Sequence, residues 1–194
     1  MQVQFLAELS LSGFRSAYMQ VKGDLTFDCA NMQPDTYRLV VTVPKEGFYV
    51  KSIRIEGREY VDQPIEMGSN SLIQGVVIEL STHGASLSGT VRKGKTGETV
   101  GGAIVSLFST DPGKWNASSR LTRFATTDQE GSYSIKDVVP GNYHLCAIAG
   151  SDPESIYDRP FFEKLQKLAK TVRLDADKSL NETLVVTEMA EGDE

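Results

Sequence analysis

Apolar and polar residues alternate with a period of two along most of this chain, in runs of five to seven residues. In the first half these runs are VQFLAEL (3–9), LTFDCA (25–30), YRLVVTV (37–43), YVKSIRI (49–55) and GVVIEL (75–80). The second half adds ASLSGTV (85–91), AIVSLFS (103–109), RFATT (123–127), SYSIKDV (132–138), YHLCAIA (143–149), KTVRLD (170–175) and ETLVVTE (182–188). Successive side chains point to opposite faces of a strand, so each run offers one face to a core and one to water. Gly, Pro, Asn and Asp separate nearly all of them, as turns require. Many short strands at this spacing predict an all-β sandwich or barrel. One stretch has a different period. In DRPFFEKLQKLAK (158–170), Pro160 stands where a first helical turn accepts it, and Phe161, Leu165 and Leu168 recur at helical spacing. The pattern predicts one short amphipathic helix, with Asp158 or Arg159 near its N-cap, laid on the edge or side of the second sandwich. Phe161 and Phe162 are its expected anchors.

The two halves share a grammar. Gly23-Asp-Leu-Thr-Phe leads to Pro34-x-x-Tyr37-x-Leu39, and Gly131-Ser-Tyr-Ser-Ile leads to Pro140-x-x-Tyr143-x-Leu145. Gly opens a strand after a tight turn, and Pro presets φ at the corner between strands. Each Tyr is expected to bury its ring and return its hydroxyl to the backbone of the preceding corner, the tyrosine corner of Greek-key sandwiches. The fold expected is therefore all-β: two tandem Greek-key β-sandwiches, residues 1–83 and 84–190, with one helix inserted in the second. The connection near Thr82–Ala85 is short enough to predict stiffly oriented domains.

Composition narrows the partners. The 194 residues carry a net charge of −6, which argues against nucleic-acid binding because phosphate backbones are repelled. No run of about 18 apolar residues occurs, so no helical membrane span is expected. The opening residues lack the basic and apolar regions of a signal peptide. Two origins fit this: a cytosolic protein, or a piece of a longer exported one. Cys29 and Cys146 fall in different halves and are expected to be unpaired thiols.

Little chemistry is spelled out. His83 and His144 lie far apart with no Glu at zinc-ligand spacing, so no metal or cofactor is expected. Cys146 and His144 share a strand face, but mid-strand, where packing is the expected role. TTDQEGSY (126–133) lacks the ligands of a calcium loop; Asp128, Glu130 and Gly131 are expected to form a hairpin turn in which Asp128 bonds local N–H groups. STDPGKWNASSRLTR (109–123) places Trp115 beside Asn116, Arg120 and Arg123. An exposed indole among hydrogen-bonding groups would stack a sugar or anchor a protein; alternatively Trp115 folds back onto its own sandwich. Tyr49, Arg54, Arg58 and Tyr60 offer a second surface. Asn116-Ala-Ser and Asn181-Glu-Thr match glycosylation acceptor triplets.

The second half carries LSGTV (87–91), TVGGAIVSL (99–107), TTDQEGSY (126–133), VVPGNYHL (138–145) and a closing strand, in that order. It resembles the carboxypeptidase regulatory-like domain, a transthyretin-like sandwich, over about residues 85–188; Gly101-Gly102-Ala103 departs from the family's usual V-x-G-A. The first half is similar more loosely. The resemblance implies a non-catalytic module of a secreted, periplasmic or cell-surface protein, flanked by further domains and partnered by an envelope protein or glycan. It favours the exported origin. The functions it leaves open are a spacer, scaffold or interaction domain and a carbohydrate-binding module using the Trp115 loop. An enzyme built on His144 and Cys146 is the third reading, and the one not expected.

Overall fold

A computed structural model describes residues 1–7, 16–30, 32–43, 45–69, 72–116, 119–149 and 159–189. The chain divides into two compact units, Met1–Thr82 and His83–Glu194. Strands dominate both, and one α-helix is present among the described residues.

Unit 1 holds strands β1 (Gln2–Ala7), β2 (Ser16–Gln20), β3 (Asp35–Thr42), β4 (Tyr49–Ile55), β5 (Arg58–Glu59), β6 (Ile65–Met67) and β7 (Val76–Ser81). They form a sheet of order β2-β1-β3-β6 and a second of order β5-β4-β7. The alternation fills the space between the sheets: Val3, Phe5, Met19, Tyr37, Leu39 and Ile65 from one meet Val50, Ile53 and Ile55 from the other in a single buried cluster.

Unit 2 holds β8 (Ala85–Arg92), β9 (Ile104–Ser109), β10 (Thr122–Thr126), β11 (Ser132–Val138), β12 (Gly141–Ala149), helix α1 (Arg159–Leu168), β13 (Lys170–Leu174) and β14 (Ser179–Glu188). The sheet order is β10-β9-β12-β14-β8-β11, with β13 also paired to β12. β14 joins the two layers. Its residues Ser179–Val185 pair parallel with Ser86–Arg92 of β8, and Val186–Glu188 pair parallel with Ala147–Ala149 of β12. Leu87, Val91, Tyr133, Ile135 and Leu184 of one layer thereby face Val105, Leu107, Tyr143, Leu145 and Val172 of the other across a core distinct from that of unit 1.

Both tyrosine corners are present. Tyr37 is buried and its hydroxyl donates to the Gln33 carbonyl at 3.0 Å; Tyr143 is buried and donates to the Val139 carbonyl at 2.6 Å. Each bond spans four residues and holds a turn that no ladder supports. Tyr37→Phe and Tyr143→Phe should each cost about 1–3 kcal/mol, because a carbonyl loses its partner while the ring stays. Urea titration checks this, and each substitution should move only the transition of its own unit.

Several expected elements differ. Residues 25–30 form no strand: the Asp24 carboxylate takes the Thr26 N–H (3.0 Å) and hydroxyl (2.7 Å), which turns the chain, and Leu25 adopts φ 65° with 80 % of its surface exposed. Gly23 therefore opens no strand, unlike Gly131. Three strands were not expected: β2, β5 and β6, which are short and lie at sheet edges; β2 and β6 bury one side chain each and β5 buries none. The helix buries Phe161, Phe162 and Leu165, while Leu168 is exposed. Of the sequence readings, residues 8–9 and Asp158 lie outside the described residues.

Candidate functional site

The recurring residue patterns of unit 2 meet one another in space. Gly89 sits mid-β8, opposite Tyr133 of β11 on one side and Glu182 of β14 on the other. The Tyr133 hydroxyl reaches across it to the Glu182 carbonyl at 2.9 Å. Burial, with the Glu182 charge second, pushes the Tyr133 phenol well above its usual range, so it stays a donor. Thr127 clasps the segment before β9: its hydroxyl donates to the Val100 carbonyl (2.7 Å) and accepts from Ala103 N–H (2.9 Å). Asp128 makes the expected local bonds, accepting from Ser132 N–H at 2.7 Å while its carbonyl accepts from Gly131 N–H at 3.0 Å. The turn joins strands of different layers, since β10 pairs β9 and β11 pairs β8, so it is not a hairpin. Gly131 has φ 76°, and an added Cβ would come within 2.9–3.0 Å of Thr99 Cβ and the Val100 nitrogen. Pro140 follows Val139, whose carbonyl the Tyr143 corner uses, and Pro34 follows Gln33 in the same way.

Of the two readings of Trp115, the ring folds back onto its own sandwich and forms no exposed platform. Asp111 caps a 3-10 turn, Pro112–Lys114, through Gly113 N–H at 2.9 Å, and the turn carries Trp115 back onto the sheet. There it is 8 % exposed and its Nε1–H donates to the Ser109 carbonyl at 2.7 Å. Its ring stacks on Phe162 of α1 at 6.0 Å and meets Phe108 of β9 edge-on at 5.7 Å. His144 lies 5.2 Å from Phe108 between ring centroids, and Cys146, Ile148, Phe161 and Leu165 complete the cluster.

The four proposed contact residues do not converge. Arg123 pairs with Leu107, a residue of the sandwich core, whereas Trp115 packs on Phe108, which faces the other way. Arg123 donates to the Thr122 carbonyl at 2.9 Å. Burial lowers its pKa most, and nearby Arg120 lowers it further, against the opposing effects of Tyr143 and Asp137. Arg120 and Asn116 are half-buried, and Asn116 reaches the Lys114 carbonyl at 3.5 Å. In unit 1, Tyr49 is buried, and Arg54 lies 3.6 Å from Glu59 and 3.8 Å from Glu79. Asn181 is exposed and donates to Ser88 Oγ at 3.3 Å, while 117–118 of the other triplet are outside the described residues. His83 is exposed and lies 2.9 Å from Asp177. Among the described residues, no three His, Cys, Asp or Glu side chains group as metal ligands do, and no helix is long and apolar enough to cross a membrane.

Residues 86–185, just over half the chain, match the carboxypeptidase regulatory-like domain. The chain belongs to that family. The match covers the interlocked Gly89, Thr127, Gly131, Tyr133 and Tyr143 described above. No curated protein matches the chain. Solved structures similar to it include BcpA, the major pilin subunit of Bacillus cereus, at 12 % identity over 63 % of this chain and 36 % of that one, TM-score 0.36. A streptococcal ancillary pilin matches at 12 % identity over 95 % of this chain and 61 % of that one, TM-score 0.38. Chlorocatechol 1,2-dioxygenase from Pseudomonas putida matches at 13 % identity over 54 % and 59 %, TM-score 0.30. The chain spans about a third to a half of the first pilins it matches.

Within the regulatory-like domain Cys146 is buried and unpaired, and burial pushes its thiol up to about 12. Thiolate is the reactive form. In a Cys29→Ser background, iodoacetamide should alkylate Cys146 on the order of 1000-fold more slowly than a model thiol near pH 8, and at the ordinary rate in urea. Rapid alkylation of the folded protein would revive a nucleophilic role.

Proposed function

We propose that this chain is a non-catalytic module of an exported or envelope-associated protein, serving as a spacer or protein-interaction domain. The observation supporting this is how its reactive side chains are used. Trp115, His144 and Cys146 are the groups the sequence offers for sugar stacking or nucleophilic chemistry. Trp115 and Cys146 are buried in one cluster between a sheet and a helix, and the half-buried His144 rests its ring against Phe108 and Trp115 there, so that they hold structure instead of facing a ligand. The family motifs act likewise, as clasps between strands. A module so built presents neighbouring domains or partners at fixed geometry.

The test is made on the full-length gene product in its own host. Fractionation should place it in the envelope or the medium, and cross-linking in place should join it to defined envelope proteins. Residence in the cytosol, or retention of the wild-type protein on a polysaccharide gel with loss in Arg120→Ala, would sink the reading in favour of another compartment or a glycan ligand.

A further inference from the structure

His144 occupies an unusual position for a titratable group. It lies mid-β12, on the face away from the sandwich core, between Phe108 of β9 and Thr171 of β13. Its Nδ1 is wholly buried and has no hydrogen-bond partner among the described residues. Its ring contacts are Phe108 at 5.2 Å and Trp115 at 6.4 Å. A neutral imidazole tolerates this, because one nitrogen carries no proton and its lone pair can go unused at modest cost. An imidazolium carries a proton on both nitrogens, so acid would place an unpaired N–H and a charge against aromatic rings.

The surrounding charges offer no relief. On its own strand the neighbour on the same face is Cys146, a neutral buried thiol. From the 3-10 turn come Asp111, held by Gly113 N–H, and Lys114. α1 brings Arg159 paired with Glu163, and Lys164 and Lys167. β9 brings only Phe108 and Ser106, and β13 brings Arg173, paired with Asp175 at 2.9 Å. Among the described residues, the three acids of this patch, Asp111, Glu163 and Asp175, are already engaged, and its other charged side chains are cations.

We propose that His144 is an acid-sensitive latch, whose protonation releases α1 and the Trp115 turn from the outer face of the sheet. α1 is a ten-residue helix seated by Phe161, Phe162 and Leu165. Helices of that length do not persist in water without such packing, so the patch is a natural unit of local opening. Burial holds the His144 pKa below its ordinary value. A histidine so lowered leaves stability unaffected above about pH 6.5, where both states are neutral. As pH falls below that, the open state binds the proton first. The opening equilibrium then rises up to about tenfold per pH unit until the folded pKa is reached.

Trp115 is the sole tryptophan and sits in the patch, so its fluorescence reports the event directly. Lowering pH from 8 to 5 should shift wild-type emission to the red with a midpoint below 6.5, while the far-ultraviolet β signal persists. His83→Gln should keep the transition, and His144→Gln and His144→Phe should remove it. If both His144 variants fail to fold, imidazole NMR of the wild type decides. A His144 pKa below 6.5, coincident with the Trp115 shift, is expected. A constant emission, a transition surviving in either His144 variant, or a His144 pKa at or above 6.5 overturns the proposal; the last would mean that Phe108 and Trp115 stabilise the cation.

Discussion

Gly89→Ala is expected to abolish the native fold of unit 2 while leaving unit 1 folded. A Cβ at residue 89 would lie 1.9 Å from the Glu182 carbonyl oxygen and 2.7 Å from its carbon. Both are backbone atoms of the adjacent strand, so no side-chain rotation relieves the clash. Relief requires β8 and β14 to part, and their parallel pairing runs from Ser86–Ser179 to Arg92–Val185. Overpacking of an interior usually costs about 1–3 kcal/mol when neighbours can give. Here they cannot, and a loss of about 4–5 kcal/mol or more follows, comparable to the whole stability of many domains. Urea unfolding followed by methyl NMR separates the units: the Leu87 and Val91 signals should lose dispersion while Val3 and Ile53 keep theirs. A Gly89→Ala protein whose unit 2 midpoint falls within about 1 kcal/mol of wild type would refute the strand spacing.

The same geometry explains why Tyr133 stands opposite Gly89. With no side chain at 89, the ring covers the backbone gap and its hydroxyl ties the edge strand β11 to β14 across β8. Removing only that hydroxyl leaves the ring in place and costs the bond, about 1–2 kcal/mol. Steric exclusion at residue 89 is therefore the larger of the two effects. The polypeptide keeps a glycine there because the β14 backbone passes too close for anything larger.

How legible this was depended on which interaction decides each element. β4 and β11 coincide in extent with their alternating runs, although each carries a register shift, between Val50 and Ser52 and between Ile135 and Val138, that breaks the period of two within the strand. Residues 25–30 alternate as well, yet the Asp24 turn takes the backbone elsewhere, and Leu25 and Phe27 line open cavities of about 620 and 720 Å³ in unit 1. A single carboxylate bonding two positions ahead leaves no periodic trace. The two Pro-x-x-Tyr corners were readable because a tyrosine corner needs a fixed spacing, and both are formed. The matching glycine was a coincidence of spelling, since Leu25, not Gly23, takes the positive φ in that turn. The β14 strand pairs with both layers in parallel, a long-range choice that alternation cannot encode. Which of its two readings Trp115 takes depends on α1, which follows it by more than forty residues and supplies Phe162. A sign was present: β9 and β12 are apolar at successive positions, as strands covered on both faces are.

That two-sided burial makes Trp115→Ala the second severe substitution. The indole is almost fully buried between Phe108 and Phe162, and truncation removes a stacked contact, an edge-on contact and the bond to Ser109. Large aromatic-to-alanine changes in packed interiors cost about 3–5 kcal/mol. The loss should be local first. The sandwich core of Leu87, Val105, Leu107 and Leu145 lies on the opposite face of the sheet and does not include Trp115. α1 should detach, exposing Phe108 and Phe162, before the strands separate. Hydrogen exchange should show amides of Phe162–Leu168 losing protection while those of β8 and β11 retain it, and a dye that binds exposed apolar surface should report the bared sheet. Trp115→Phe refills most of the volume but forfeits the Ser109 bond, so about 1–2 kcal/mol of the loss should remain. If Trp115→Ala instead unfolds strands and helix together, the helix patch and the sandwich form one cooperative unit. If it changes neither, the indole does not hold α1 to the sheet, and the surface role first suggested by its polar neighbours returns.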